Sequence, residues 1–576
     1  MMEEKHLTQR RKGFGKPINL AFDAVPYLLA IPMAAAVFFA FLLPYGASFW
    51  KAFDGKITIW ENSAILHITF FTLKQAFFSV LVSLAIGLPG AWLLGSGQNR
   101  PLLRTLTAIP FAMPSILVVL GFVLFFGNSG WINRAIGVLT GAGGPGPLRI
   151  LYKPAAIVLA HGFFNFPLVI RMVGDGLARV RRSYAPAAAS LGASPFMTLL
   201  CVILPLSVPS IMSAVLLVFL YSFTSFAVVL VLGGGPASTT LPVEIYRHAR
   251  IFLNYHNAGA LAIIETLIAL SIFLTYAFFG KKSGKIKTDM DDPGMEKTRS
   301  PWLSPGSILA IVYGIIAAFF IFGPLLSIVL ESFLWQPSRS AVQILGTRWW
   351  RSLGGTCLPA LLRSLGLAFF SATTACVLSV LAAGSVKILE MQGERKSGNS
   401  LFVNLIRFFA ASPIVSSGIV LGLGTLIVYG RNFYHIPITL VILHSVIALP
   451  FAFNSVSEGF RTLPDNILKA ASVLGANPLR MLITIALPLS LRRIRSAWGF
   501  AAALSLGELN AIMMLGAENW ETLPVYIFRA VGAYRYGNAC AAGTLLILCC
   551  GVCFLLSEGF MNLSGEKRQQ NLHKPD

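Results

Sequence analysis

The stretch Ala187-Ala188-Ala189-Ser190-Leu191-Gly192-Ala193-Ser194-Pro195, closed by Leu204-Pro205, returns 283 residues later. The second copy reads Ala470-Ala471-Ser472-Val473-Leu474-Gly475-Ala476-Asn477-Pro478 and closes on Leu487-Pro488. The interval from glycine to closing proline is the same in both. At the same offset His161 pairs with His444, Pro167 with Pro450, Asp175 with Glu458 and Gly176 with Gly459. Thr240-Leu241-Pro242-Val243 pairs with Thr522-Leu523-Pro524-Val525 at an offset of 282. A register held this long marks an internal duplication.

The duplicated stretch is set among apolar runs. Of 576 residues, 56% are hydrophobic and only 12% charged, at a mean hydropathy of +0.73. A soluble chain carries about twice that charge, and several runs reach the roughly 20 residues that cross a bilayer. Disordered chains, secreted disulfide scaffolds and nucleic-acid-binding domains are excluded. A window of about 19 residues gives twelve spans, at 25–48, 70–94, 106–126, 154–173, 211–233, 257–280, 306–330, 362–386, 406–429, 436–456, 497–516 and 538–558. The net charge of +22 reads as the basic balance of cytoplasmic loops and anionic lipid headgroups. The first span is too long for a signal h-region and reads as an uncleaved anchor. Lys and Arg gather in alternate loops, which puts both termini in the cytoplasm, although Arg339, Arg348, Arg351 and Arg363 crowd one outer segment.

Six spans per half restore the orientation, so the halves are parallel repeats and both duplicated loops lie on one face. The expected organisation is an N-terminal tail (1–24), a first repeat (25–280), a polar linker (281–305), a second repeat (306–562) and a C-terminal tail (563–576), the linker and both tails being cytoplasmic. Each loop is expected to start as a short helix of small residues. It then breaks at Gly192 or Gly475, where a left-handed turn costs little, and ends at a helix-stopping Leu-Pro. Small residues on one helical face allow close approach by another backbone, a shape suited to docking in a partner's groove.

This pattern resembles the EAA loop of binding-protein-dependent ABC importer permeases: Glu-Ala-Ala, three residues, Gly, then Leu-Pro. Ala187, Ala188, Gly192, Ala193 and Pro205 match it in the first copy, and Ala470, Ala471, Gly475, Ala476 and Pro488 in the second. The acidic position holds Pro186 and Lys469 instead, which removes whatever salt bridge the family's Glu makes with the ATPase. The fused two-half arrangement is similar to the thiamine and ferric-iron permeases. So are Leu159–Pro167, Ser225-Phe226-Ala227 leading to Gly233-Gly234-Gly235-Pro236, Leu504–Glu508, Glu521–Pro524 and Gly532–Arg535. The resemblance implies an all-α integral membrane fold of the type I importer kind, with about twelve transmembrane helices, in a bacterial inner membrane. It further implies two copies of a cytoplasmic ATPase subunit, which carry the ATP and Mg, and an extracytoplasmic solute-binding protein. This chain then binds no cofactor of its own.

The chain contains no P-loop, because none of its Gly-Lys pairs has the required glycine five residues earlier or a following Ser or Thr. No catalytic residue and no metal site are expected. Ionisable groups in a span face a cavity or a partner, so Glu508, after Gly507 in the eleventh span, and Glu265 in the sixth are candidates for the translocation path. Glu508 would favour a cationic solute, whereas the alternative is a carboxylate paired with a neighbouring helix or protonated. Its counterpart in the first half is Ser225 or Phe226, which leaves the path unequal in charge. His161 and His444 are expected to hydrogen-bond near helix irregularities. Cys550 and Cys553 read as small packing residues. The rival reading is a twelve-span secondary transporter driven by an ion gradient; its acidic-and-basic loop between spans two and three is missing from Gly95–Thr105.

Overall fold

The computed structural model describes residues 20–54, 64–94, 113–141, 146–233, 235, 238–284, 305–335, 344–392, 399–430, 436–516 and 520–558. The loop 95–105, most of the 281–305 linker, most of the N-terminal tail and the C-terminal tail lie outside the described residues.

The first half opens with α1 (Leu20–Val37), which passes through a π-helical turn into α2 (Leu43–Phe53). Next come α3 (Ala64–Leu94), α4 (Ser115–Phe126), α5 (Trp131–Leu139) and α6 (Pro154–Ser190). The elbow helix α7 (Pro195–Thr198) leads to α8 (Leu204–Phe223), α9 (Ala227–Leu232), α10 (Leu241–Arg250) and α11 (Tyr255–Gly284). The second half starts with α12 (Pro305–Glu331), a two-strand hairpin of β1 (Leu334–Trp335) and β2 (Ile344–Leu345), and α13 (Arg348–Arg351). It continues with α14 (Gly354–Gln392), α15 (Asn399–Ala411), α16 (Gly418–Tyr429) and α17 (Ile436–Arg461). Its elbow comprises α18 (Asp465–Val473) and α19 (Pro478–Met481), followed by α20 (Leu487–Leu489), α21 (Leu491–Gly507), α22 (Asn510–Leu515), α23 (Leu523–Gly532) and α24 (Tyr536–Glu558).

Apart from the β1–β2 hairpin the described architecture is helical, as the resemblance implies, but the spans are not all simple rods. Among the described residues ten helices are long and apolar enough to cross a membrane, and a bent pair, Ser400–Val415 and Gly418–Tyr429, turns by 101° and makes eleven where it counts as one span. The expected span 497–516 is α21, followed by a break at Glu508-Leu509 and the short α22. A hydropathy window averages across such breaks. The matching span of the first half breaks in the same way, between α8 and α9. The breaks are tolerated because protein, not lipid, surrounds them.

Second and fourth spans pack together in each half, α3 on α6 and α14 on α17. The first span of each half instead crosses to the other half. Helices α1 and α2 lie on α14 and α16, and α12 lies on α3 and α4. Both crossings are made through glycine. A Cβ on Gly424 would stand 2.0 Å from the Pro44 carbonyl oxygen, and one on Gly121 would stand 2.9 Å from the Pro324 Cβ. Absence of a side chain is what lets the backbones meet. Gly424→Ala should therefore destabilise the chain by about 1–3 kcal/mol, as overpacking does, and more than Gly121→Ala does. Thermal unfolding of the two variants in detergent checks the order.

Candidate transport site and coupling elbows

The two elbows are near copies in backbone geometry. Helix α6 ends on Ser190 and α18 on Val473, and Gly192 and Gly475 take left-handed φ values of +80° and +83°. The amide of Ala193 returns to the Ala188 carbonyl at 3.0 Å, and Ala476 to Ala471 at 3.0 Å. This is the hydrogen-bonded reversal by which a helix closes its last carbonyls. Ser194 Oγ then accepts from the Met197 amide (3.2 Å) and Asn477 Oδ1 from the Arg480 amide (2.7 Å), capping α7 and α19.

Beyond the caps both copies pass through a π-turn, Leu199–Ile203 and Leu482–Ala486. The Leu204 amide donates to Leu199 and the Leu487 amide to Leu482. Pro205 and Pro488 explain this register slip. Lacking N–H, they cannot donate four residues back, and the ring displaces that carbonyl. One expected feature differs between the copies. Only α18 is a separate short helix, set off by Thr462-Leu463-Pro464, because proline turns the preceding residue away from helix. In the first copy Arg181 stands where Pro464 does, and α6 runs unbroken to Ser190. Arg181 packs 3.7 Å over the Trp92 ring and ties α6 to α3 near the elbow.

Ala188 and Ala471 are buried at the elbow bases, Ala193 and Ala476 are half-buried, and Ala187, Ala470, Gly192, Gly475, Pro205 and Pro488 are exposed. The tip side chains are apolar and bare: Leu191 is 89% exposed and Leu474 86%. Phe196, Met197 and Val473 are exposed beside them. Sequence reading passed over these leucines, although they occupy the same place in both quoted copies.

At the other end of each fifth span the helix breaks. In the second half Glu508 has extended backbone (ψ 118°), and its Oε1 accepts from the Ala511 amide at 3.1 Å, closing the start of α22. In the first half Thr224, Ser225 and Phe226 fill the gap, and Phe226 is buried with its ring 5.2 Å from Tyr246. The third spans of both halves start against the second of these breaks. A Cβ on Gly507 would lie 3.1 Å from Pro114, which caps α4, and one on Gly418, the first residue of α16, would lie 3.0 Å from Glu508 Oε1. The structure thus gathers Gly507, Glu508, Pro114 and Gly418 where the halves meet. Glu265 is elsewhere, on α11, buried against the Ser412–Val415 bend of the other half.

The repeated histidines brace the helices just before the breaks. His161 Nδ1 lies 3.2 Å from Gln75 Oε1, and Gln75 Nε2 donates to the Ser222 carbonyl at 2.8 Å. His444 Nδ1 lies 2.9 Å from Ser505 Oγ. Ser222 and Ser505 correspond at the 283-residue offset. Among the described residues no group of three His, Cys, Asp or Glu side chains could hold a metal.

The sequence profile of the family described as "Binding-protein-dependent transport system inner membrane component" matches the chain twice, at residues 83–282 and 375–569. The chain belongs to that family. It is a multi-pass inner-membrane transport permease, and no enzyme. The thiamine transport system permease protein of Brucella suis is 28% identical over 84% of this permease and 86% of its own length. That of Escherichia coli K12 is 25% identical over 93% and 96%. A probable sulfate transport system permease protein of Nephroselmis olivacea is 28% identical over 40% of this chain and 82% of its own length.

Glu508 carries both a charge and a cap, which substitution separates. Glu508→Gln keeps an oxygen acceptor for the Ala511 amide and should leave thermal stability unchanged, whereas Glu508→Leu should cost about 1 kcal/mol, as removal of a cap does. Unfolding curves of the two variants measure the difference.

Proposed function

We propose that this permease forms the translocation path of an importer energised by two separate ATPase subunits, which grip the elbows at Leu191 and Leu474 from the cytoplasm. The observation that carries the reading is the pair of matched elbows, each with a bare leucine at its tip. Exposed apolar side chains of this kind mark a surface that a partner covers. The partners bind equivalently because the elbows do, and their closure shifts the permease between outward- and inward-open states. A binding protein delivers the solute to the opposite face.

The solute in this reading is a small organic cation of the thiamine type. Glu508 supports it: a carboxylate at a helix break between the halves, without an ion-pair partner among the described residues. The relatives matched along most of this chain as well as most of their own length are named for thiamine transport. The sulfate-named relative matches only part of the chain, and an anion would meet repulsion at Glu508.

Two measurements test the proposal. Leu191→Asp and Leu474→Asp should each weaken recovery of the ATPase with the purified permease by about tenfold or more, because an ionised side chain cannot replace a leucine buried in an apolar seat. The double variant should lose uptake while reaching the membrane in normal amount; undiminished ATPase recovery would contradict the assignment. In intact vesicles, labelled thiamine should enter with ATP and after collapse of the ion gradients. Glu508→Gln should reduce that entry, and sulfate should not compete.

A further inference from the structure

The halves match in backbone but not at one joint. Where α2 and α11 of the first half meet the bend before α16 of the second, five oxygen-bearing side chains gather: Tyr45, Glu265, Thr266, Ser416 and Ser417. Tyr45 lies beside Glu265 and turns its hydroxyl toward Ser416, Thr266 and the Ser417 backbone. The Glu265 carboxyl faces the Ser417 side chain. Glu265 is 1% exposed, and neither of its oxygens has a hydrogen-bond partner. Ser417 Oγ and Thr266 Oγ1 are buried and unpartnered as well. Ser416 Oγ donates to the Pro413 carbonyl at 2.7 Å, which leaves its lone pairs free.

The duplication supplies an internal control. Pro44 against Gly424 and Pro324 against Gly121 sit at equivalent crossings, so Tyr45 corresponds to Leu325. Tyr255-x-Asn257-Ala258 aligns with Tyr536-x-Asn538-Ala539, which puts Leu546 and Ile547 where Glu265 and Thr266 stand. Pro110 with Pro413, and Gly121 with Gly424, put Met113 and Pro114 where Ser416 and Ser417 stand. Every member of one joint bears an oxygen on its side chain, and every member of its mate is apolar. The mate shows that the fold closes this joint without polar groups. Placing them there costs desolvation, several kcal/mol for an unpaired carboxylate, so something must offset it.

No protein cation does so among the described residues. Glu265 makes no ion pair among them, and the side chain against Gly418, the neighbour of Ser417, is another carboxylate, Glu508. An all-oxygen donor set with one carboxylate suits a hard cation of single charge. We propose that Tyr45, Glu265, Thr266, Ser416 and Ser417 form a binding site for a hard monovalent cation of the sodium class. The ion fastens the first and sixth spans of one half to the bent third span of the other, next to the break that carries Glu508. This is a site of the joint, and it stands or fails apart from the ATPase grip and the identity of the solute.

The test is thermal unfolding of the full purified chain in sodium, lithium, potassium and choline chlorides at equal ionic strength and mildly alkaline pH. Ligand linkage predicts a saturable rise of a few degrees in sodium over choline, abolished in Glu265→Gln and reduced in Ser417→Ala. Direct binding of radioactive sodium to the wild-type chain should saturate near one ion per chain, which keeps the test decisive if a variant fails to fold. Equal midpoints in all salts, or absence of saturable sodium binding, would overturn the proposal and leave a carboxyl that simply retains its proton. A sodium effect undiminished in Glu265→Gln would overturn it too, as a general salt response.

Discussion

A bilayer core offers no water to an unpaired backbone group, and this accounting shapes the permease. A helix that breaks within a span therefore needs protein groups to take over what the break frees. Glu508 receives the Ala511 amide, and the residues that follow each break belong to short helices wedged between neighbours. The first spans cross to the opposite half. Gly121 and Gly424 make the crossing possible by presenting bare backbone to Pro324 and Pro44. The second-half break and one crossing share a helix, since α16 packs on both α2 and α22.

The elbows sit at the other end of the same helices. Each fifth span carries an elbow and π-turn at its start and a break at its finish, with only α8 or α20 and α21 between them. A push on Leu191 or Leu474 thus acts on the helix that ends beside Ser225 or Glu508. The packed network of His161, Gln75 and Ser222, and the bond from His444 to Ser505, hold that helix against the second and fourth spans. Under the proposed function, rigid coupling of this sort would turn motion at one face into motion at the breaks.

Much of this was legible in the sequence, for identifiable reasons. The elbows were legible because their chemistry is local: a left-handed glycine, a capping Ser or Asn, and a proline lacking N–H all leave marks within a few residues. The duplication was legible because those marks recur at a fixed interval. The span breaks were legible only as kinks at Pro413 and Gly507, because Thr224-Ser225 and Ser416-Ser417 are short polar interruptions in runs whose average stays apolar. The Ser-Ser-Gly string after Pro413 was the available signal. The crossing of first spans was not legible at all, since Gly424 and Pro44 are brought together only by the tertiary fold. Glu265 stood out as a charge in a span, yet Tyr45 and Ser416-Ser417 beside it come from two other segments, and only the structure assembles them.

Site-directed labelling tests the central claim most directly. With exposed Cys201 replaced by Ser, single cysteines at positions 191 and 474 can be probed in oriented vesicles with a membrane-impermeant thiol reagent. The account predicts that both react from the cytoplasmic side and that bound ATPase protects both. Reaction of the two positions from opposite sides of the membrane would contradict it.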